Sequence, residues 1–393
     1  MTLPGINQLL AQPGQYLKGK TVGLIVNHTS LTKDNQHSIA HFKSHPSFIL
    51  NALFAPEHGL YGIAQDMIEI ENEIDPISEL NVSSLYGITE ETLEPNLDAL
   101  VEVDNLIFDI QDVGARYYTF IYTMAKCMDI CKKSNTRMII CDRPNPINGI
   151  SLEGNLVKED FRSFVGQYPL PNRHGMTVGE LALFFNHEID IGCELKVVPM
   201  TNWNREQWYD ETGLPWVPPS PNMPTLDTAV VYPGMCLIEG TQLSEGRGTT
   251  RPFENFGAPY IDPHKLLQRI KKDIDKLPGV IFRPQFFQPM FQKHRGEMCG
   301  GLQIHVTDRS QFKPFLTTLA LLRAIADLYP NDLKWRTEPY EFVSDRLAID
   351  LLYGNTHLRE TIFNDTFSLD EIENGWQEEL NSFKELRNNY LIY

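Results

Sequence analysis

Residues 105–141 read NLIFDIQDVGARYYTFIYTMAKCMDICKKSNTRMIIC, and they carry the fold in miniature. The apolar run 105–110 is strand-sized, 119–134 has the length and apolar periodicity of a helix, and 137–141 is a second short apolar run. Strand, crossover helix, strand is a β-α-β unit, which belongs to a parallel sheet. Working outward, 21–27 and 48–55 add two earlier strands and 195–200 a later one. Between them Thr177-Val178-Gly179-Glu180 fits a capping box ahead of Leu181, Ala182, Leu183 and Phe184, so a helix starts at Thr177. The predicted class is α/β, with a mainly parallel sheet.

At 393 residues and 42% hydrophobic, the chain exceeds the roughly 250–300 residues at which one core usually splits. Two domains are expected. Pro215, Pro218, Pro219, Pro221 and Pro224 exclude regular structure around 216–224. The boundary is placed just beyond, giving domains 1–228 and 229–393. From about residue 230 the reading is a long loop, a helix near 263–275, strands near 280–287 and 301–307, and helices at 313–329 and 369–387. That describes a smaller α+β domain.

Lys+Arg 34 against Asp+Glu 51 gives a net charge of −17, a field that repels phosphate backbones and anionic membranes. Nucleic acid is therefore not an expected partner. Membrane insertion is not expected either, because even the long run 119–131 carries Lys126 and Asp129. Residues 1–20 lack the basic head and apolar stretch of a secretion signal, so the expectation is a cytoplasmic protein, or an exported one if a leader has been removed. The six cysteines form no C-x-x-C pair and read as reduced, buried thiols.

Ligands of open parallel sheets bind at the carboxyl ends of the strands. Here those ends carry Asn27, Glu57-His58-Gly59, Asp109 to Tyr118, and Asp142-Arg143-Pro144-Asn145. Glu57 is the sharpest candidate, because Pro56 stiffens its approach and Gly59 and Gly62 let the next loop fold closely around a ligand. Asp109, Asp112 and Asp142 are candidates for an acid/base pair, or acceptors of loop N–H groups. Arg116 and Arg143 either clamp a substrate anion or neutralise the aspartates. Tyr117 and Tyr118 offer a sugar-stacking surface. Asn222 in a proline-stiffened turn, and Glu239 and Arg247 around a glycine-rich loop at 239–250, suit a lid from the second domain that makes the site an interdomain cleft. That loop matches no phosphate-binding fingerprint, and no G-x-S-x-G elbow occurs. A metal reading of His58, Asp109, Asp112, Asp142 and His174 has permitted ligands without a metal-site spacing. The expectation is carboxylate chemistry with no cofactor and no metal.

Seven segments, in order, make the chain recognisable. They are Ala55-Pro56-Glu57-His58-Gly59, Ser84-Leu85-Tyr86-Gly87, Asp109 to Thr119, Asp142-Arg143-Pro144-Asn145-Pro146, Arg173-His174-Gly175-Met176-Thr177-Val178-Gly179-Glu180, Pro219-Ser220-Pro221-Asn222-Met223-Pro224 and Ser244 to Phe253. Together they closely resemble the bacterial exo-β-N-acetylmuramidase family called NamZ, formerly a domain of unknown function. The resemblance implies a Rossmann-like N-terminal domain, a C-terminal auxiliary domain, and a cleft that removes N-acetylmuramic acid from the non-reducing ends of peptidoglycan fragments, in cell-wall recycling. It also favours Glu57 as catalytic residue. A carboxylic acid that protonates the leaving oxygen, assisted by a second carboxylate, is the ordinary glycosidase requirement. Asp112 or Asp142 as partner, and attack by the substrate's own acetamide, all stay open on the sequence, as does oligomeric state. The alternatives are a metal-dependent hydrolase using His58 and Asp142, and a non-catalytic binder of wall fragments.

Overall fold

The computed structural model describes residues 1–65, 67–68, 73–87 and 89–393. Its strands are β1 (Thr21–Val26), β2 (Ile49–Ala55), β3 (Glu73–Ile74), β4 (Asn81–Ser84), β5 (Asn105–Asp109), β6 (Arg137–Cys141), β7 (Leu195–Val198), β8 (Asn255–Ala258), β9 (Val280–Phe287) and β10 (Cys299–Val306). The first seven form one sheet in the order β3-β4-β2-β1-β5-β6-β7. Every pairing in it is parallel except β3 with β4. Because β2 lies on one side of β1 and β5 on the other, the chain reverses direction across the sheet at β1, and a crevice opens at the strand tips there. The last three strands form a separate antiparallel sheet, β8-β10-β9. Pro284 sits within β9, an edge strand, where a missing N–H is tolerated.

Side chains alternate faces along each strand, and the two faces of the large sheet are covered differently. Val22, Leu24, Val26, Leu53, Ile107 and Ile139 pack with Ile6 and Leu9 of the helix Gly5–Ala11 and with Ile39 and Phe42 of the helix Ser38–Ser44. On the other face Ile25, Phe54, Leu106, Phe108, Met138 and Ile140 meet the helices Phe120–Ser134 and Val178–Glu188. That second core does not stop at the end of the first domain. It continues through Leu319, Leu322, Leu351 and Phe383, so the two halves share one apolar interior.

The capping box is present as read: Thr177 accepts from the Glu180 N–H while the Glu180 carboxylate accepts from the Thr177 N–H. The structure departs from the sequence reading in several elements, β3 and β4 and the helices Gly5–Ala11, Ser38–Ser44 and Ala348–Tyr353 among them. The stretch after 225 is a helix, Leu226–Met235, although it contains Pro233. It forms because it packs tightly on the helix Pro314–Leu328, where a Cβ at Gly234 would overlap the Pro314 carbonyl. The stretch 369–387 is two helices, Leu369–Gly375 and Gln377–Arg387, parted at the buried Trp376. Asn255–Ala258 is a strand that the glycine-rich surroundings concealed.

All six cysteines are free and buried. Among the described residues no helix is long and apolar enough to cross a membrane.

Candidate active site

β2 ends at Ala55, and the chain turns immediately. His58, Gly59 and Gly62 all have left-handed backbones, with φ of 73°, 78° and 65°. His58 Nδ1 is 2.9 Å from the Ala64 carbonyl, which closes the loop on itself. A side chain at Gly62 would run into the His28 ring, so only glycine fits there. This turn delivers Glu57 to the floor of a cavity of about 510 Å³. The opposite tip, past β5, delivers Tyr117, Tyr118 and Thr119 at the start of the helix Phe120–Ser134.

Glu57 is 6% exposed, and its carboxyl group is held at both oxygens. The Thr119 hydroxyl donates to Oε2 at 2.7 Å, and the Met67 N–H reaches Oε1 at 3.4 Å. A hydroxyl can accept as well as donate, so the Thr119 contact survives when the carboxyl carries a proton. The proline-rich segment is tied to the same loop, because Asn222 Nδ2 donates to Gln65 Oε1 at 2.8 Å.

The second half supplies the remaining walls: Tyr232, Glu239, Arg247, Phe253, Tyr340 and Glu341. Tyr118, Tyr232 and Phe253 stand edge to face in succession, with ring centroids 5.9 and 4.9 Å apart, and make an aromatic side. Burial pushes the Tyr118 and Tyr232 hydroxyls well above their ordinary range, keeping them neutral. Arg247 is framed by acids: its Nη2 lies 2.6 Å from Glu239 Oε1 and its Nε 3.3 Å from Glu245 Oε1. Tyr340 donates to the other oxygen of Glu239 at 2.7 Å. Beyond Glu239 a second cavity, of about 820 Å³, adds Gln242, Lys293 and Arg336 to its walls.

Of the residues singled out from sequence, Glu57, His58, Tyr117, Tyr118, Asn222, Glu239 and Arg247 line this cavity together. The others lie outside its lining and are occupied within the fold. Asp142 accepts four donors: the Arg143 and Gly179 N–H groups on Oδ1 and the Thr177 and Tyr393 hydroxyls on Oδ2. Burial, reinforced by Glu180, pushes its carboxyl up to about 7. Arg143 pairs with the wholly buried Asp109 at 2.7 Å and donates to the Leu31 carbonyl. Burial raises Asp109 although Arg143 opposes it. Asp112 accepts from the Gly114 N–H at 2.7 Å, with His174 Nε2 at 3.5 Å. His174 itself accepts from the Met176 N–H. Asn27 holds Thr29, and Asn145 ties the Met176 carbonyl to the Ile147 N–H.

Arg116 is 0% exposed and donates to carbonyls in both halves, Asn155 and Leu170 on one side and Leu352 and Tyr353 on the other. The physical reason is common to the group: these strand tips are roofed by their own loops, whose backbone groups need partners out of reach of water. For the metal reading, His58 lines the cavity and Asp142 does not, and among the described residues no three His, Cys, Asp or Glu side chains converge as a ligand set.

Sequence reasoning passed over Thr119, Ser220, Tyr232, Phe253, Tyr340 and Glu341 as site residues, although all six line the cavity. Thr119, Ser220 and Phe253 stand inside the quoted segments and were open to notice. Tyr232, Tyr340 and Glu341 belong to no such segment.

A family profile described as the N-terminal domain of exo-beta-N-acetylmuramidase NamZ matches residues 22–227, and its C-terminal counterpart matches 230–393. The peptidoglycan beta-N-acetylmuramidase NamZ of Bacillus subtilis (strain 168) is 44% identical over 389 residues, 99% of this chain and 91% of that protein. Two solved structures of DUF1343 family proteins from Bacteroides fragilis NCTC 9343 are similar throughout. One has a TM-score of 0.87 at 33% identity, the other 0.78 at 30%, and each comparison covers 100% of this chain and 99% of the other.

Proposed function

The chain belongs to the NamZ exo-β-N-acetylmuramidase family and is an exo-acting glycoside hydrolase, and from that premise we propose that Glu57 is its general acid. The substrate is a peptidoglycan-derived saccharide, and the sugar released is the terminal N-acetylmuramic acid. The observation that carries the assignment is the position of Glu57: a carboxyl group almost removed from water, lining a cavity walled by both halves of the chain, fixed by a hydroxyl that serves either protonation state. The terminal sugar occupies the cavity against Tyr118, Tyr232 and Phe253, whose faces and edges suit the apolar side of a pyranose. Glu57 gives its proton to the glycosidic oxygen as the bond from that oxygen to the anomeric carbon breaks. Arg247 reads the lactyl carboxylate that separates muramic acid from N-acetylglucosamine, with Glu239 and Glu245 holding its plane.

The test is Glu57→Gln, which keeps size and hydrogen bonding and removes the titratable proton. General acid catalysis contributes about 10²- to 10⁴-fold, so kcat should fall by that much on a natural disaccharide, whose leaving group is a sugar hydroxyl. On a nitrophenyl glycoside, whose leaving group departs without help, the fall should be much smaller. Equal and severe losses on both would make Glu57 a nucleophile instead, and near-normal turnover on both would remove it from the mechanism.

A further inference from the structure

The segment 340–343 is an unusual way to build a cavity wall. Tyr340 and Val343 exchange both backbone hydrogen bonds, at 2.9 and 3.0 Å, so Glu341 and Phe342 are the two central residues of a tight hairpin turn. Both have left-handed backbones, with φ of 44° and 68°. A turn of that kind takes Asn-Gly or similar pairs, because a side chain at positive φ is strained. Glutamate and phenylalanine are poor occupants, and such strain persists where the surroundings over-determine it, typically at functional sites.

The surroundings here do so on both flanks. Tyr340 is bonded to Glu239, and the Phe342 ring packs against Tyr86 and Phe164 at 5.7 and 6.0 Å. Held between them, Glu341 is 5% exposed and lines the same cavity as Glu57. The Tyr86 hydroxyl, from the first half of the chain, donates to its Oε2 at 3.1 Å. Of the other acids placed on this wall, Glu239 is engaged by Arg247 and Tyr340. The aspartates of the strand tips do not line the cavity.

We propose that Glu341 is the second catalytic carboxylate, the one that stays ionised while the glycosidic bond breaks and takes up the proton released by the attacking group. The balance is simple. The bond between the anomeric carbon and the leaving oxygen breaks, with its electron pair going to that oxygen, which receives the proton of Glu57. A new carbon–oxygen bond forms from a lone pair of the attacking water, and the proton that the water sheds passes to Glu341. One proton leaves Glu57 as one arrives at Glu341, and exchange with solvent restores both. This assignment rests on the reading of Glu57 as the acid.

Three variants test it. Glu341→Gln keeps the shape and should lower kcat at least 100-fold on both the natural disaccharide and the nitrophenyl glycoside, because this carboxylate does not serve the leaving group. Glu341→Ala should regain turnover on the nitrophenyl glycoside when azide or formate is added, which a merely structural residue does not show. Glu341→Asn, better suited to a left-handed backbone, should melt above wild type and still be inactive. Activity of Glu341→Gln within fivefold of wild type on both substrates, or an inactive Glu341→Ala that no small anion restores, would overturn the proposal. Glu57→Gln assayed alongside separates the two assignments. If it is active on both substrates while Glu341→Gln is not, the Glu57 reading fails and takes the pairing of the two carboxylates with it, leaving Glu341 to work with a different acid. The reverse pattern sinks Glu341 alone.

Discussion

Replacing Arg116 by Met should cost the protein its stability before it costs the enzyme its selectivity. In wild type the guanidinium makes three good bonds, to the carbonyls of Asn155 at 2.7 Å, Leu170 at 3.0 Å and Leu352 at 2.7 Å, with a longer one to Tyr353 at 3.3 Å. Leu352 and Tyr353 end the helix Ala348–Tyr353, so the cation also faces the negative end of that helix. Burial pushes its pKa down, and its titratable neighbours Tyr117, Tyr122, Cys236 and Tyr353 are neutral phenols and a neutral thiol rather than a carboxylate.

Truncation orphans three buried carbonyls at about 1–3 kcal/mol each. Against that, the fold no longer has to bury a guanidinium, which refunds several kcal/mol. The net loss is about 2–5 kcal/mol. With an unfolding entropy of roughly 2.1 cal/mol/K per residue over this length, that lowers Tm by about 2–6 °C. Differential scanning calorimetry gives the shift. Turnover at a temperature well below both melting points, on a muramic and an N-acetylglucosamine glycoside, gives the selectivity. An Arg116→Met variant that melts with wild type but loses its preference for the muramic substrate would refute the structural assignment and return Arg116 to the substrate.

Other perturbations are as direct. Arg247→Lys keeps the charge and loses the fork, so kcat/KM on the muramic substrate should fall roughly 10- to 100-fold while the N-acetylglucosamine analogue changes little; equal changes on both would place lactyl recognition elsewhere. Asp142 and Glu153 are both pushed up to about 7 by burial, above their values in the unfolded chain. Their protonated forms are the ones the fold prefers, so the stability they lend is complete below the unfolded carboxyl range and is lost as pH rises through 7. Tm should therefore fall between pH 5 and pH 8, and Asp142→Asn should flatten that slope without abolishing it, since Glu153 remains. An unchanged slope in Asp142→Asn would show that Asp142 is ionised throughout.

The sheet was legible because periodicity and caps are local. Thr177 and Glu180 announce a helix whatever surrounds them, and the runs at β1, β2, β5 and β6 leave little else to be. The helix Leu226–Met235 was not legible, since Pro233 argues against it locally and only its packing on Pro314–Leu328 overrules that argument. In the site, sequence could say which polar groups stand at strand tips but not which way they face. Glu57 and Asp142 follow equivalent strands, yet one meets the cavity and the other meets Thr177, Gly179 and Tyr393. Glu341 was hidden for a different reason: its left-handed backbone is imposed by Tyr340 and Phe342 packing, with no glycine or asparagine to betray the turn.

The apolar interior that runs unbroken from Ile25 through Leu319 to Phe383 also governs how substrate gets in. Two bodies fused through one close-packed core and pinned by Arg116 cannot rock apart like the jaws of a hinged enzyme, because opening them would tear buried contacts from both. The cavity walls that the two halves contribute therefore keep a fixed spacing.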